Sequence, residues 1–331
     1  MSNYCIKSIN LTKIYPGGIK AVNGVSFKVD YGEIYGFLGP NGAGKTTTLG
    51  MLITVIKPTS GDAYIAGYNI HRDASKIREK IGVMFQDPTI DRDLTGWENL
   101  YVHGLAYGIN RNTLIKRIDE LLEFVGLSEF ANTQVRRYSG GMIRRLEIAR
   151  ALLHKPEVLF LDEPTLGLDP QSRAKMWDVI RDLNKEGVTI FLTTHYLEEA
   201  DRLCDRIAII DYGRIVCEGK PSELKNMIGG DVIYVKISKS DSNTNEFINT
   251  LSRIGKVKLI GDQVSIVVKN APKTLPKIFE LAEEYSIRIS EIRYTQPSLD
   301  DVFLYVTGRR LRDTEVSSLE FIRMRRIRRM R

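Results

Sequence analysis

Residues Gly39-Pro40-Asn41-Gly42-Ala43-Gly44-Lys45-Thr46 fit the pattern G-x-x-x-x-G-K-[ST] at every fixed position. The chemistry of such a loop is phosphate binding. Its glycines let the backbone fold back so that several N–H groups converge on one anion. A helix that starts there adds partial positive charge. Lys45 can reach the outer phosphates of a nucleotide, and the Thr46 hydroxyl can ligate Mg2+. The flanks suit this use. Residues 33–38 form a short apolar run of the kind that makes a buried strand, and residues 47–52 read as the first turns of a helix. A phosphate loop says that a nucleotide binds; what the nucleotide is used for must come from the rest of the chain.

Three other apolar runs end in polar residues. Residues 81–85 run into Gln86, 157–161 into Asp162-Glu163, and 188–194 into His195. Such runs alternate with helical patterns, which indicates a mostly parallel α/β sheet. In these sheets ligands gather at the C-terminal ends of the strands, and the loop, Gln86, Asp162-Glu163 and His195 all lie there. Before the loop, strands over 4–12 and 21–30 flank a turn at 15–18 and form a hairpin. Further strands are expected over 62–68, 205–211 and 214–218, and helices over 73–80, 113–125, 143–154, 169–185 and 197–204. Thr95 with Glu98 forms a capping box, so a helix starts there. From about residue 230 the order becomes β-α-β-β-α-β: strand 232–237, helix 245–254, a hairpin of 256–260 and 264–268 over Gly261-Asp262-Gln263, helix 275–285 and strand 288–294. That order matches a small ferredoxin-like domain, followed by a closing helix over 297–307.

The bulk numbers exclude some classes. The 331 residues are 43% hydrophobic and 27% charged, as in a soluble globular protein. No apolar run approaches the roughly 20 residues of a membrane-spanning helix, and the N-terminus lacks the layout of a secretory signal. Cys5, Cys204 and Cys217 form no disulfide framework or zinc pattern, which suits a reducing cytoplasm. The net charge is +7, but residues 309–331 hold nine arginines against three acids and so carry +6 of it. The body is near neutral. Phe321, Met324, Ile327 and Met330 scatter around a helical wheel among those arginines, so a disordered basic tail is expected there.

In order and context, the motifs resemble the ATP-binding subunit of ABC transporters over roughly residues 4–218. The carriers are the phosphate loop, the strand ending in Gln86, a signature Tyr138-Ser139-Gly140-Gly141-Met142, the acidic pair Asp162-Glu163, then Gly167-Leu168-Asp169 and His195. Signature residues continuing as Ile143-Arg144-Arg145-Leu146, with a C-terminal Gln296-Pro297-Ser298-Leu299-Asp300-Asp301-Val302-Phe303, narrow the likeness to the daunorubicin-resistance type of exporter ATPase. The implied fold is α/β: a phosphate-loop ABC ATPase domain over 1–225 with an inserted helical subdomain at about 95–155, plus a small C-terminal α+β domain over 231–308.

The resemblance also implies roles. Glu163 is the catalytic base that polarises the attacking water, His195 the switch that contacts the γ-phosphate, and Gln86 touches Mg2+ or the water. Asp162 and Thr46 hold the Mg2+ shell. ATP is held by Gly39, Asn41, Gly42, Gly44, Lys45, Thr46 and Thr47, with Tyr15 stacked on adenine. Ser139, Gly140 and Gly141 cover the γ-phosphate bound by a second copy, and Asp169 communicates across that dimer. Met142 departs from the glutamine that many members carry. One chain has one of each motif, so a nucleotide-sandwich homodimer with two ATP molecules is expected. The expected membrane partner is a separate ABC-2-type permease, which would place the chain on the cytoplasmic face of the membrane, and no nucleic acid is expected as a partner. Transport of lipid or polysaccharide precursors, and a non-transport role on nucleic acid, are the alternatives.

Overall fold

The computed structural model describes residues 4–237, 243–260 and 263–308. The expected tail over 309–331 and the hairpin tip at Gly261-Asp262 lie outside the described residues. The chain divides into two compact units, Met1–Glu218 and Gly219–Arg331.

The first unit opens with β1 (Tyr4–Tyr15), β2 (Ile19–Asp30), β3 (Ile34–Leu38) and α1 (Lys45–Leu52). β4 (Ser60–Ile65) and β5 (Tyr68–Asn69) follow, then α2 (Ala74–Lys80) and β6 (Ile81–Met84). Three helices come next: α3 (Gly96–Ala106), α4 (Arg111–Phe124) and α5 (Gly140–Leu152). The unit continues with β7 (Val158–Asp162), α6 (Pro170–Lys185), β8 (Thr189–Thr194), α7 (Leu197–Leu203), β9 (Arg206–Asp211) and β10 (Arg214–Gly219).

Two sheets result. The antiparallel one runs β2-β1-β4-β5 and the larger one β10-β9-β3-β8-β7-β6. In the larger sheet β6, β7, β8, β3 and β9 are parallel, and their register brings Leu38 level with Thr194, and Asp162 level with Thr193. The segments after β3, β7 and β8 therefore meet at one edge of the sheet. Between the two sheets lies an aromatic cluster. Phe27 of β2 packs on Tyr35 and Phe37 of β3 and on Phe191 of β8, at ring centroid distances of 5.3, 5.6 and 5.7 Å, and Phe160 of β7 meets Phe191 at 5.5 Å.

Local differences from the sequence reading have local causes. The strand expected over 62–68 is broken into β4 and β5 by Ala66 and Gly67, both at positive φ (48° and 83°), which is the backbone of a two-residue hairpin turn. The strand expected to end at Gln86 ends at Met84, because the Phe85 and Gln86 carbonyls are taken by the Arg144 guanidinium and leave the ladder. α1 starts at Lys45 and α5 at Gly140, each earlier than the apolar spacing indicates. Thr95 and Glu98 form the expected capping box of α3.

The second unit begins with α8 (Pro221–Asn226), a short helix that the sequence reading leaves out although Pro221 sits at its first position. Then come β11 (Asp231–Ile237), α9 (Thr244–Leu251), β12 (Lys256–Ile260), β13 (Gln263–Val268), α10 (Ala271–Glu284), β14 (Ile289–Thr295) and α11 (Leu299–Thr307). The sheet order is β12-β13-β11-β14, antiparallel throughout. That is the ferredoxin-like arrangement expected from β-α-β-β-α-β. Ile233, Val235, Val264 and Ile266 meet Phe247, Leu251, Ile278 and Ala282 from α9 and α10 in its core.

Phe191 touches four aromatic neighbours and is fully buried. Phe191→Ala should cost about 3–5 kcal/mol. Urea unfolding followed by tryptophan fluorescence tests this, since Trp97 and Trp177 both report on the first unit.

Candidate active site

The phosphate loop leaves β3 at Leu38 and enters α1 through Gly44, which has φ +106°. A Cβ on Gly44 would strike the Ala21 carbonyl oxygen of β2, and one on Gly39 would strike the Ile210 carbonyl oxygen of β9. Glycine is required at both places for the loop to sit this close to its neighbours. Gly42, also at positive φ, has open space around it and is exposed with Asn41. Ala43 and Gly213 exchange a backbone hydrogen bond, which ties the loop to the turn after β9.

Lys45 is the loop's buried charge, only 5% exposed. Its Nζ donates to the carbonyls of Gly39 (2.7 Å) and Pro40 (3.2 Å) and pairs with Glu163 Oε1 at 3.2 Å. The other Glu163 oxygen lies 3.0 Å from His195 Nδ1. One carboxylate thus joins the phosphate loop to the end of β8. Glu163 has φ +50°, a strained conformation for a residue with a Cβ. The Thr193 carbonyl and hydroxyl hold its backbone N–H, at 3.1 and 3.2 Å. Burial pushes the Glu163 carboxyl up, but its pairing with His195 and Lys45 outweighs that and leaves it below its ordinary pKa.

Asp162 ends β7 beside them. It accepts from the Thr46 hydroxyl at 3.3 Å and from the Thr193 hydroxyl. Burial raises its pKa despite these two bonds. Behind the pair, the fully buried Glu199 of α7 accepts from Thr165 (2.8 Å) and Trp177 (3.2 Å), which fixes the turn after Glu163.

The remaining predicted residues fall in three places. Tyr15 ends β1 near the hairpin tip, with the Lys13 ammonium 5.3 Å from its ring. Ser139 caps α5, accepting from Met142 N–H at 3.3 Å, and Ser139 and Gly140 are exposed. Asp169 caps α6, accepting from Ser172 N and Oγ at 2.9 and 2.6 Å. The two helix starts abut, since a Cβ on Gly141 would come within 2.7 Å of Ser172 Oγ. Gln86 is exposed, and only its carbonyl is held, by Arg144.

Comparison with known proteins agrees with this geometry. A family model described as ABC transporter matches residues 22–166, and one described as ATP-binding protein DrrA1-3-like, C-terminal domain, matches 219–307. The linearmycin resistance ATP-binding protein LnrL of Bacillus subtilis (strain 168) is 38% identical over 311 residues, 93% of this chain and 100% of that protein. The daunorubicin/doxorubicin resistance ATP-binding protein DrrA of Streptomyces peucetius is 39% identical over 307 residues, 92% of each. Among solved structures, a dimeric ATP-binding cassette in a post-hydrolysis state with ADP and Pi matches with a TM-score of 0.60 and 31% identity, over 65% of this chain and 98% of that one. The chain belongs to the ABC transporter ATP-binding family. It is an ATP-binding and ATP-hydrolysing subunit of an ABC transporter.

In this ABC ATPase the structure adds Thr193, Glu199 and Arg144, residues to which the sequence motifs assign no role in the site. A threonine inside an apolar run carries no separate signal, but a buried strand of Thr-Ile-Phe-Leu-Thr-Thr leaves hydroxyls that need partners. Thr193→Val should destabilise the protein by about 1–3 kcal/mol, because the Asp162 carboxylate and the Glu163 N–H both lose a partner; chemical denaturation measures this. Glu163 adds a pH signature. Its folded pKa is depressed, so its contribution is complete above the ordinary glutamate pKa and is lost as pH falls through the folded value. The Tm margin of wild type over Glu163→Gln should therefore hold near neutrality and shrink on acidification below that ordinary value. A margin that grew there would contradict the pairing.

Proposed function

We propose that this ABC ATPase energises export through a separate ABC-2-type integral membrane permease, as half of a head-to-tail homodimer that holds two ATP molecules with Mg2+ at its interface. The observation that carries this is the meeting of the phosphate loop, the Thr46–Asp162 pair and the Lys45–Glu163–His195 chain at one end of the parallel sheet. Mg2+ uses few protein oxygens and takes its other ligands from phosphate and water, and a threonine hydroxyl beside a carboxylate is such a donor set. When bound, the ion neutralises charge that develops on the transferred phosphoryl group.

The chain's own groups then divide the work. Lys45 exchanges two carbonyls and a carboxylate for phosphate oxygens, with the amides of Asn41, Gly42, Gly44 and Thr47 lining the cradle that Gly39 opens by its close approach to β9. Tyr15 stacks on adenine. Released from Lys45, the Glu163 carboxylate takes a proton from the attacking water, while His195 contacts the γ-phosphate and Gln86 orients the water or the ion. The exposed Ser139 and Gly140, with Gly141 buried behind them, bring a second helix N-terminus to the γ-phosphate held by the other copy. Asp169, capping the helix packed on that signature, carries the state of one site to the other.

A groove of about 370 Å³ supports the permease contact. Val55, Phe85, Thr89, Tyr107 and Arg150 are among its lining. Val55, Phe85 and Tyr107 are exposed apolar residues, of the kind that mark a partner surface. No helix among the described residues is long and apolar enough to cross a membrane, so the chain reaches the cytoplasmic face through this partner. Outward transport follows the relatives named for resistance to linearmycin and to daunorubicin and doxorubicin. The ATPase domain is taken as 1–225 with its helical part at about 95–155, and the small domain as 231–308, although α8 packs on α11 and falls in the second unit.

Glu163→Gln should bind ATP with Mg2+, elute as a dimer in size-exclusion chromatography, and hydrolyse at least about 100-fold more slowly, the loss expected for a general base. An ATP-bound monomer, or a wild-type rate, would sink this reading. Chelating Mg2+ should stop turnover in wild type.

A further inference from the structure

Helix α5 carries Arg144, Glu147 and Arg150 at intervals of three, and all three turn onto one short loop, residues 85–89. Arg144 Nη1 donates to the Phe85 carbonyl at 2.8 Å, and Nη2 donates to the Gln86 carbonyl. The same guanidinium pairs with Glu147 at 3.1 Å. Glu147 accepts the Thr89 N–H at 2.9 Å. Arg150 donates to the Thr89 carbonyl at 2.9 Å and also to its hydroxyl. Arg144 is 6% exposed and Glu147 is fully buried.

A buried ion pair is weak evidence for stability, since apolar residues of similar volume often pack as well. What these side chains do that leucine cannot is grip a main chain. Most of their contacts with the loop go to backbone groups, so the hold on it is almost independent of its side chains, and the Gln86 side chain stays exposed. Five residues before Arg144, about 7–8 Å along the helix axis, Ser139 caps the same helix. α5 is thus a rod with the signature at its tip and the glutamine loop fastened to its flank.

We propose that Arg144 is a positioning residue that, with Glu147 and Arg150, locks loop 85–89 to α5, so that Gln86 and Ser139–Gly141 move as one body when the nucleotide sandwich closes. This rests on the sandwich reading above. The loop also lines the groove assigned to the permease, through Phe85 and Thr89. A partner seated there pushes on the signature through backbone hydrogen bonds rather than through a change of side-chain packing.

The test is Arg144→Met in the full-length chain, which keeps a long buried stem and removes every donor. ATP affinity is set at the phosphate loop and should stay within about two-fold. The loss of charged hydrogen bonds should lower kcat at least about ten-fold, and the amides of residues 85–89 should exchange with solvent at least about ten-fold faster. Arg144→Lys can reach one carbonyl but cannot fork across two, so its kcat should fall between the others. A packing role gives the opposite order, with methionine tolerated better than lysine. That order, or a methionine variant with kcat within about three-fold of wild type, overturns the proposal. Should Arg144→Met fail to fold, Arg150→Met, which removes both donors to Thr89 at the other end of the clamp, should still speed exchange of the loop amides and lower kcat, by about two- to five-fold. Unchanged exchange and rate there overturn the proposal as well. The sandwich reading fails by a different result, absence of an ATP-bound Glu163→Gln dimer with Arg144 intact.

Discussion

The structure of the first unit depends on where the charge of Lys45 goes. An ammonium group taken out of water costs several kcal/mol unless it is paired and hydrogen-bonded. Here the compensation comes from three directions: two carbonyls of its own loop and the carboxylate of Glu163. Each needs a different part of the fold. The carbonyls point inward because the loop turns back on itself through residues that only glycine can occupy, Gly39 and Gly44. The carboxylate arrives because β7 and β3 flank β8 in one parallel register, which brings Asp162 and Leu38 beside the neighbouring Thr193 and Thr194. Glu163 then turns the chain at φ +50° to meet the lysine. On the function proposed above, a nucleotide offers phosphate oxygens in place of these partners, and its binding frees Glu163 in the same event.

A second layer holds acidic groups in a dry place. Asp162, Glu147 and Glu199 are all buried, and burial raises the pKa of each. None is left to water. Thr193 and Thr46 serve Asp162, Thr165 and Trp177 serve Glu199, and Arg144 with the Thr89 N–H serves Glu147. Threonine suits position 193 because its branched stem favours the strand while its hydroxyl replaces a lost water.

Much of this was legible in the sequence because the informative patterns are local. A phosphate loop is eight adjacent residues, an apolar run ending in Asp162-Glu163 or His195 marks a strand end by itself, and Thr95 with Glu98 spells out a cap. The β-α-β-β-α-β order of the C-terminal part follows from periodicity in the same way. The unread features depend on partners far along the chain. Nothing near Gln86 says that a guanidinium 58 residues later will take its carbonyl and end the strand early. Arg144 and Glu147 look like the solvated face of a helix rich in arginine, and only packing against loop 85–89 shows them to be interior. Thr193 reads as one more strand residue until register sets it beside Asp162. Ala66-Gly67 and Pro221 are local signals too, a turn and a helix start: the first is masked by the apolar residues around it, and the second opens a helix of only six residues, too short for a periodic pattern.

On the proposed reading two helix starts in this chain serve anions, and the fold treats them oppositely. At α1 the loop curls over the helix end, and the lysine that serves the anion is bound by the protein's own carbonyls and carboxylate. At α5 the start is presented outward, with Ser139 and Gly140 exposed, and is braced from behind by the close approach of Gly141 to Ser172 of α6. A helix N-terminus attracts negative charge whether or not the charge belongs to the same chain. The first start therefore recruits phosphate for the monomer, and the second is useful only to a phosphate brought by something else. A second copy carrying its own loaded loop satisfies that requirement with no further invention in the sequence. It also explains why the outward start must be stiff: attraction at its tip does mechanical work only if the helix behind it is fastened to the rest of the machine.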